Sequence, residues 1–465
     1  MAATGSEPLT PEIVALAGHV AGAAEREIPE AVARKTRMHL LDTLAAIVSG
    51  TQLPAGRLGA RFAAATGGTG EALAVGAGAL LPAAQAAFAN AMAAHGDETD
   101  DSHLAGRCHP GCAIVPAALA IAERADRDGA ALLRAIALGY DVCVRVNLAL
   151  GFPPPAQARH STHSIGPAFG AAAACAALLG LAPRQVRHVF AYAAQQASGI
   201  PFWNRDPAHV EKAFDFAGMP ARNGTLAALM VASGFTGVED PFGGRHNLFA
   251  AFAGRAEPAA MVEGLGTRFE IERASIKKWC VGSPIQAVLD AIVAITGGAP
   301  QEPDAIEAIE IVMPDDRIHI VDDRAMPDVC VQHLAAIALL DGTVGFAAGH
   351  DVARMQDPAV RALRARMTLV PSPELTAAVP ARQAIVVLRG RDGQRRHHAV
   401  AVRGTPENPM PADEVEAKAA DLVAPLLGDA GAAALIAATR RIETLPARAL
   451  RDLLRIETGS ETTHG

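Results

Sequence analysis

Tryptophan and tyrosine are nearly missing from these 465 residues, two of each, in a chain that is half hydrophobic but only 4% aromatic. A core so poor in rings must be filled by Ala, Leu, Val and Ile at close helix–helix spacing, which predicts a mainly helical fold. An excess of base is also missing: Lys and Arg total 41 against 49 Asp and Glu, a net charge of -8. Without a basic face to neutralise phosphates, no nucleic-acid partner is expected, and any bound anion must be held by a few placed cations. Lysine is scarcest of the charged residues, limited to Lys35, Lys212, Lys277, Lys278 and Lys418. A lysine kept in an arginine-rich chain is a candidate for a position where a compact, titratable ammonium cannot be replaced.

The six cysteines form no CxxC pair, and the N-terminus lacks a basic-plus-apolar signal, so reduced thiols and a cytoplasmic location are expected. Gly, Pro, His or charge interrupts each apolar run before the roughly 18 to 20 residues of a membrane span, so no membrane segment is expected. The length is large for one hydrophobic core and favours two domains.

Periodicity divides the chain. Helix starts at Thr10-Pro11-Glu12 and Ile28-Pro29-Glu30 open a helical first part that is expected to run over 1–273. Helices are expected over 81–94, 116–124 and 130–150, over 168–181 after Pro153-Pro154-Pro155, and over 184–198. From about 274 alternation replaces the helical period, with Ile309, Ile311 and Met313 on one face. Arg391-Asp392-Gly393 between two apolar runs reads as a hairpin turn. The fold class expected is mainly α, a large helical body with a smaller α+β lid inserted at 274–402 and a helical return over 403–465. A cleft between body and lid is the default ligand site.

The densest chemistry lies in His95-Gly96-Asp97-Glu98-Thr99-Asp100-Asp101-Ser102-His103, followed by Cys108-His109-Pro110-Gly111. Three histidines and four carboxylates sit between two alanine-rich segments that read as buried helices. Removing a proton α to a carboxylate builds negative charge on that carboxylate, so such a site needs a base facing fixed cations. His109 and His160 are suitable bases, Lys212 and Lys277 suitable clamps, and Asp100 or Asp101 could orient a histidine. Blander readings stand beside these: a solvated acidic loop, a turn histidine before Pro110, or junction salt bridges for the lysines. A hard-metal site of His95, Asp97, Asp101 and His103 is a further alternative.

The order of these signals resembles the MmgE/PrpD family of small-carboxylate dehydratases, decarboxylases and epimerases. Further matches are Leu41-Asp42-Thr43-Leu44-Ala45, Gly139-Tyr140-Asp141-Val142, Gly166 to Gly170, Gly234-Phe235-Thr236-Gly237 and Leu340-Asp341-Gly342. The resemblance implies a homodimer that works without metal or organic cofactor. Its catalytic positions fall on Asp100, Asp101, His109 and His160, and its substrate contacts on Lys212 and Lys277. Glu98 stands where some relatives carry a further acid, and His163 is an additional candidate contact off the matched pattern. Gln286 and His333 stand where relatives often have histidine and tyrosine, so they bear on which substrate is taken. The expected function is a cofactor-independent lyase acting on a small di- or tricarboxylate. An epimerase using two acid/base groups is the alternative, with a metal-dependent hydrolase and a non-catalytic scaffold behind it.

Overall fold

Thr10 caps its helix as the sequence indicates: its hydroxyl accepts from Ile13 N, and Pro11–Val20 follows with proline at the first position. Asp128 does the same for Gly129–Leu150, accepting from Ala131 N. The structure is a computed structural model that describes residues 8–152 and 160–456. The proline break at 153–155 and Arg159 lie outside the described residues. The fold is mainly helical, with a small mixed sheet in its C-terminal region.

By contacts the chain falls into two units. The first takes the chain up to Gly96, then Asp100–Ala274, then from Leu422 onward. Its helices include Glu30–Gly50, Ala83–Ala94, Gly111–Arg124, Gly129–Leu150, Thr162–Leu178, Pro183–Gln195 and Met219–Ala232, with a short hairpin of β1 (Ala72–Ala74) and β2 (Ala79–Leu81). Small residues set the spacing. A Cβ built on Gly139 would stand 3.1 Å from Gly170 O, and one on Gly170 would stand 2.5 Å from Gly139 O. Two sequence motifs therefore meet where Gly129–Leu150 crosses Thr162–Leu178, and only glycine allows that approach.

Two helices begin earlier than the sequence pattern indicates. Gly111–Arg124 encloses Pro116, and Thr162–Leu178 encloses Pro167. Proline marks a favoured helix start but does not forbid an interior place when packing holds the turn. The earlier starts matter for function, because they put His109 just ahead of one helix N-terminus and His160 just ahead of another.

The second unit is Ser275–Asp421 together with Asp97–Thr99. Its sheet runs β4 (Met367–Ser372), β3 (Ile306–Pro314), β5 (Ala384–Gly390), β6 (Gly393–Ala399), with β3 and β4 parallel and the other pairs antiparallel. Helices Gln286–Thr296 and Val331–Asp341 share its core with Ile309, Ile311, Met313, Val386 and Leu388. Strand β6 begins at Gly393 rather than 397, and β4 has no signal in the sequence. Both are edge strands: β4 is mostly half-buried and β6 mostly exposed, and neither carries a clean alternation.

The sequence sets the limits of the inserted part at 274 and 402, whereas residues 403–421 pack within the second unit. Arg403 N donates to Asp290 at 2.8 Å, Phe346 N to Asp421 at 3.0 Å, and Lys418 Nζ to Thr99 O at 2.9 Å. The return helix Ala412–Arg440 is, by length and composition alone, apolar enough to cross a membrane. Its left-handed break at Gly428 (φ 72°) divides it into two shorter helices.

Candidate active site

Asp101 is the floor of the acidic loop. Fully buried, it accepts from Gly111 N at 3.0 Å, meets His39 Nδ1 at 2.6 Å, and accepts from the Tyr140 hydroxyl. Burial alone would raise its pKa, but the His39 and Tyr140 contacts outweigh this and hold the carboxyl below its usual range. Its three contacts brace the loop and satisfy a backbone N–H at the start of Gly111–Arg124. The resemblance puts Asp101 among the catalytic positions; in the structure it serves as this brace. Tyr140→Phe, which strips one donor from that buried carboxylate, is expected to cost about 1–3 kcal/mol of stability in a urea titration without altering native-state turnover.

Asp100 faces the other way. Its Oδ2 lies 2.9 Å from His95 Nδ1 and 3.2 Å from His109 Nδ1, with Asp100 and His95 wholly buried and His109 slightly exposed. A carboxylate at those distances favours a proton on each Nδ1. The consequence for His109 is a tautomer with Nε2 left as the basic nitrogen.

Phe216 gathers the rest. It lies in a π-helical turn, Phe214–Gly218, between Val210–Ala213 and Met219–Ala232. A π turn rotates a side chain away from the ordinary α direction, a device common at functional sites. His163 stacks on the Phe216 ring at 3.8 Å and 5°, His95 at 4.7 Å and 21°, and His109 stands 5.5 Å away. Trp203 meets the same ring edge-on at 4.7 Å, and Lys212 Nζ lies 5.2 Å from its centroid. His209, in a left-handed conformation (φ 57°), has its ring 5.3 Å from that of His95. The result is a ring-lined group of imidazoles with one ammonium beside it, able to exchange protons where charge interactions are little screened.

His160 is not part of this group of rings. Its ring meets Phe252 edge-on at 5.9 Å, and burial pulls its pKa down, so it stands neutral. Next to it, Ser161 Oγ donates to Asp215 at 2.5 Å, and burial pushes Asp215 up to about 6. The sequence pattern favours His160 over His163 and His95, while the packing around Phe216 brings in the latter two. His95 reads from sequence only as a possible metal ligand, and His209 carries no signal there, since its place beside His95 depends on a positive φ.

In the second unit, three cations hold the three residues 97–99. Lys277 Nζ donates to Glu98 O at 2.7 Å and lies 3.3 Å from Glu98 Oε2, and Lys418 Nζ donates to Thr99 O. His350 Nε2 pairs with Asp97 Oδ2 at 2.9 Å, while Asp97 also accepts from Thr99 N and Oγ1. His350, which sequence reasoning overlooked, has its Nδ1 on Phe346 O at 2.8 Å. Gln286 accepts from Trp279 N and donates to Trp279 O and Val281 O. Its amide braces that turn, at a position that the sequence marks as bearing on which substrate is taken. His333 is wholly buried, and burial brings its pKa down to about 4, so it stays neutral.

The metal set read from sequence is dispersed. His103 accepts from Gly106 N and pairs with Glu270 at 3.4 Å, Asp101 is an anchor, and Asp97 belongs with His350. His95, Asp100 and His109 instead offer ligand atoms within 4.8 Å of one another, an N/O set that could hold a divalent transition metal.

Two stretches match known domains: residues 14–261 the MmgE/PrpD N-terminal domain, and residues 279–444 the MmgE/PrpD C-terminal domain. Among curated proteins, the chain is similar to the cis-aconitate decarboxylase-like protein oryM of Aspergillus oryzae, with 27% identity over 301 residues. That match covers 61% of this chain and 61% of the relative's length.

Proposed function

The chain belongs to the MmgE/PrpD family, and from that premise we propose that it is a cofactor-independent lyase acting on a small di- or tricarboxylate through the Asp100–His109 pair. The observation that carries this reading is the carboxylate of Asp100 against Nδ1 of His109, which leaves Nε2 to take or give a proton. In a dehydration, Nε2 removes the proton α to a carboxylate. The C–H electron pair passes through the enediolate into the new double bond, and the β-hydroxyl leaves as water with the proton that His109 has taken up. Asp100 stabilises the imidazolium that forms, and Lys212 provides fixed positive charge for the developing enediolate. In a decarboxylation the pair works in reverse: the imidazolium delivers its proton to one carbon of the substrate's existing double bond, whose electrons form the new C–H bond, while carbon dioxide departs and the electrons of the broken C–C bond form the shifted double bond. The relative's printed likeness to cis-aconitate decarboxylase makes an unsaturated tricarboxylate the first substrate to try.

The placement of His163, its ring 5.5 Å from that of His109, supports an epimerase as the second reading, since inverting one carbon needs two acid/base groups. Turnover of candidate carboxylates in deuterated water separates the two. Release of water or carbon dioxide is expected. Deuterium entering Cα with neither product released would replace the lyase with an epimerase. A stoichiometric ion in the purified protein, with activity lost to a chelator, would replace both with metal chemistry at His95, Asp100 and His109.

A further inference from the structure

His95 has no part in the proposed reaction, yet it lies wholly buried against the pair that carries it. Among the described residues neither of its ring nitrogens makes an aligned hydrogen bond, although Nδ1 comes within 2.9 Å of Asp100 Oδ2. A buried imidazole in that condition is costly and calls for an explanation. Packing holds it there. The ring is stacked on Phe216 at 4.7 Å and 21°, and the backbone is fixed at the end of Ala83–Ala94, where His95 N donates to Ala91 O at 3.2 Å.

Three donors meet at this point. His95, Asp100 and His109 offer one ligand atom each, all within 4.8 Å of one another, with Asp100 Oδ2 2.9 Å from His95 Nδ1 and 3.2 Å from His109 Nδ1. Donors held at about 2.0–2.1 Å by one tetrahedral zinc ion stand roughly 3.3–3.4 Å apart, so these two edges need to open by only about half an ångström or less. The two imidazoles are 5.1 Å apart and inclined at 66°, an arrangement in which both rings can flank one ion without stacking on each other. Two imidazoles and a carboxylate suit zinc or a neighbouring divalent transition ion and not magnesium or calcium, which take oxygen donors. All three residues belong to the first unit, and the slight exposure of His109 gives an ion its way in.

We propose that His95, Asp100 and His109 bind a zinc ion that switches the acid/base pair off. The ion takes the Nδ1 lone pair of His109, so the proton of the ring moves to Nε2 and the base is lost. Asp100, now a ligand of the ion, no longer orients the imidazole. The inference rests on the lyase reading and makes zinc an inhibitor, the opposite of a catalytic metal.

The test is calorimetric titration of zinc chloride, with magnesium chloride as a control, into metal-stripped full-length wild type, His95→Gln, Asp100→Asn, His109→Gln and, at an exposed position on β6, His397→Gln. Wild type and His397→Gln are expected to bind one zinc ion per chain and no magnesium. Each of the other three variants should bind zinc about tenfold or more weakly, with circular dichroism verifying the fold. Asp100→Asn and His109→Gln stay close in size to the side chains they replace, so they decide the matter should His95→Gln fail to fold. Wild type that takes up no zinc, or a folded ligand variant with wild-type zinc affinity, would overturn the site. Turnover of the best carboxylate should fall as zinc is added and return with a chelator, and turnover unchanged at saturating zinc would overturn the switch. Turnover that requires zinc would overturn both the switch and the cofactor-independent reading. Failure to turn over any carboxylate would overturn the lyase reading alone, with the titrations still deciding the site.

Discussion

Replacing His109 with glutamine is expected to lower turnover by about 10²–10⁴-fold, the usual scale of a positioned acid/base group. The fold should not change, because glutamine is close to the ring in size and can still present an N–H toward Asp100. What disappears is the basic Nε2, which acts only as the proton moves, so kcat and kcat/KM should fall together. Asp100→Asn should follow the same course, since an amide no longer demands a proton on Nδ1 and the tautomer preference is lost. Because the two residues act as a unit, the double variant should be little worse than either single one. Turnover of the best carboxylate, with circular dichroism to verify folding, checks this. Activity within about threefold of wild type in His109→Gln would remove the residue from the reaction.

The second large effect is on stability and lies in the Asp97–His350 pair. Burial alone would lower the His350 pKa, but the Asp97 hydrogen bond and charge outweigh it and raise it from 6.5 to about 9. A folded-state pKa above the unfolded value means that the native protein holds the proton more tightly. The stabilisation is therefore complete below pH 6.5 and is lost as pH rises through about 9. At 1.36 kcal/mol per unit, the loss across that window is about 3 kcal/mol. Asp97 shows the mirror effect, its carboxyl held down by His350 and Thr99 against the pull of burial, so the same pair also weakens in acid below the ordinary carboxylate range.

Asp328, nearby, is pushed by burial up to about 6, which favours the folded state at low pH and disfavours it as pH rises through that value. Its window lies below that of His350, so the two are separable. Urea midpoints from pH 6 to 10 should slope downward for wild type and lie nearly flat for His350→Gln. Parallel curves would show that the pair does not hold residues 97–99 in place.

Most of the helical framework is legible in the sequence because its signals are local: Thr10 as a cap, Pro29 before Glu30 as a second start, alanine-rich runs for close packing. The strand at Ile306–Pro314 is equally plain, since one face is buried and the other is not. Strands β4 and β6 are not, because an exposed edge strand has no burial pattern to read.

The site divides along the same line. Composition and spacing by themselves determined the helical class and gathered three histidines and four carboxylates into one stretch, because residue type and order survive without coordinates. Only the tertiary structure decided which of two adjacent carboxylates orients His109 and which anchors the loop. Asp100 and Asp101 have the same chemistry and differ only in the direction each points. The same holds for His163 and His95, which a π turn collects around Phe216, and for His350, which lies far along the chain from Asp97. Roles that depend on direction and on distant partners are set by packing, and packing is not written in any single stretch of the sequence.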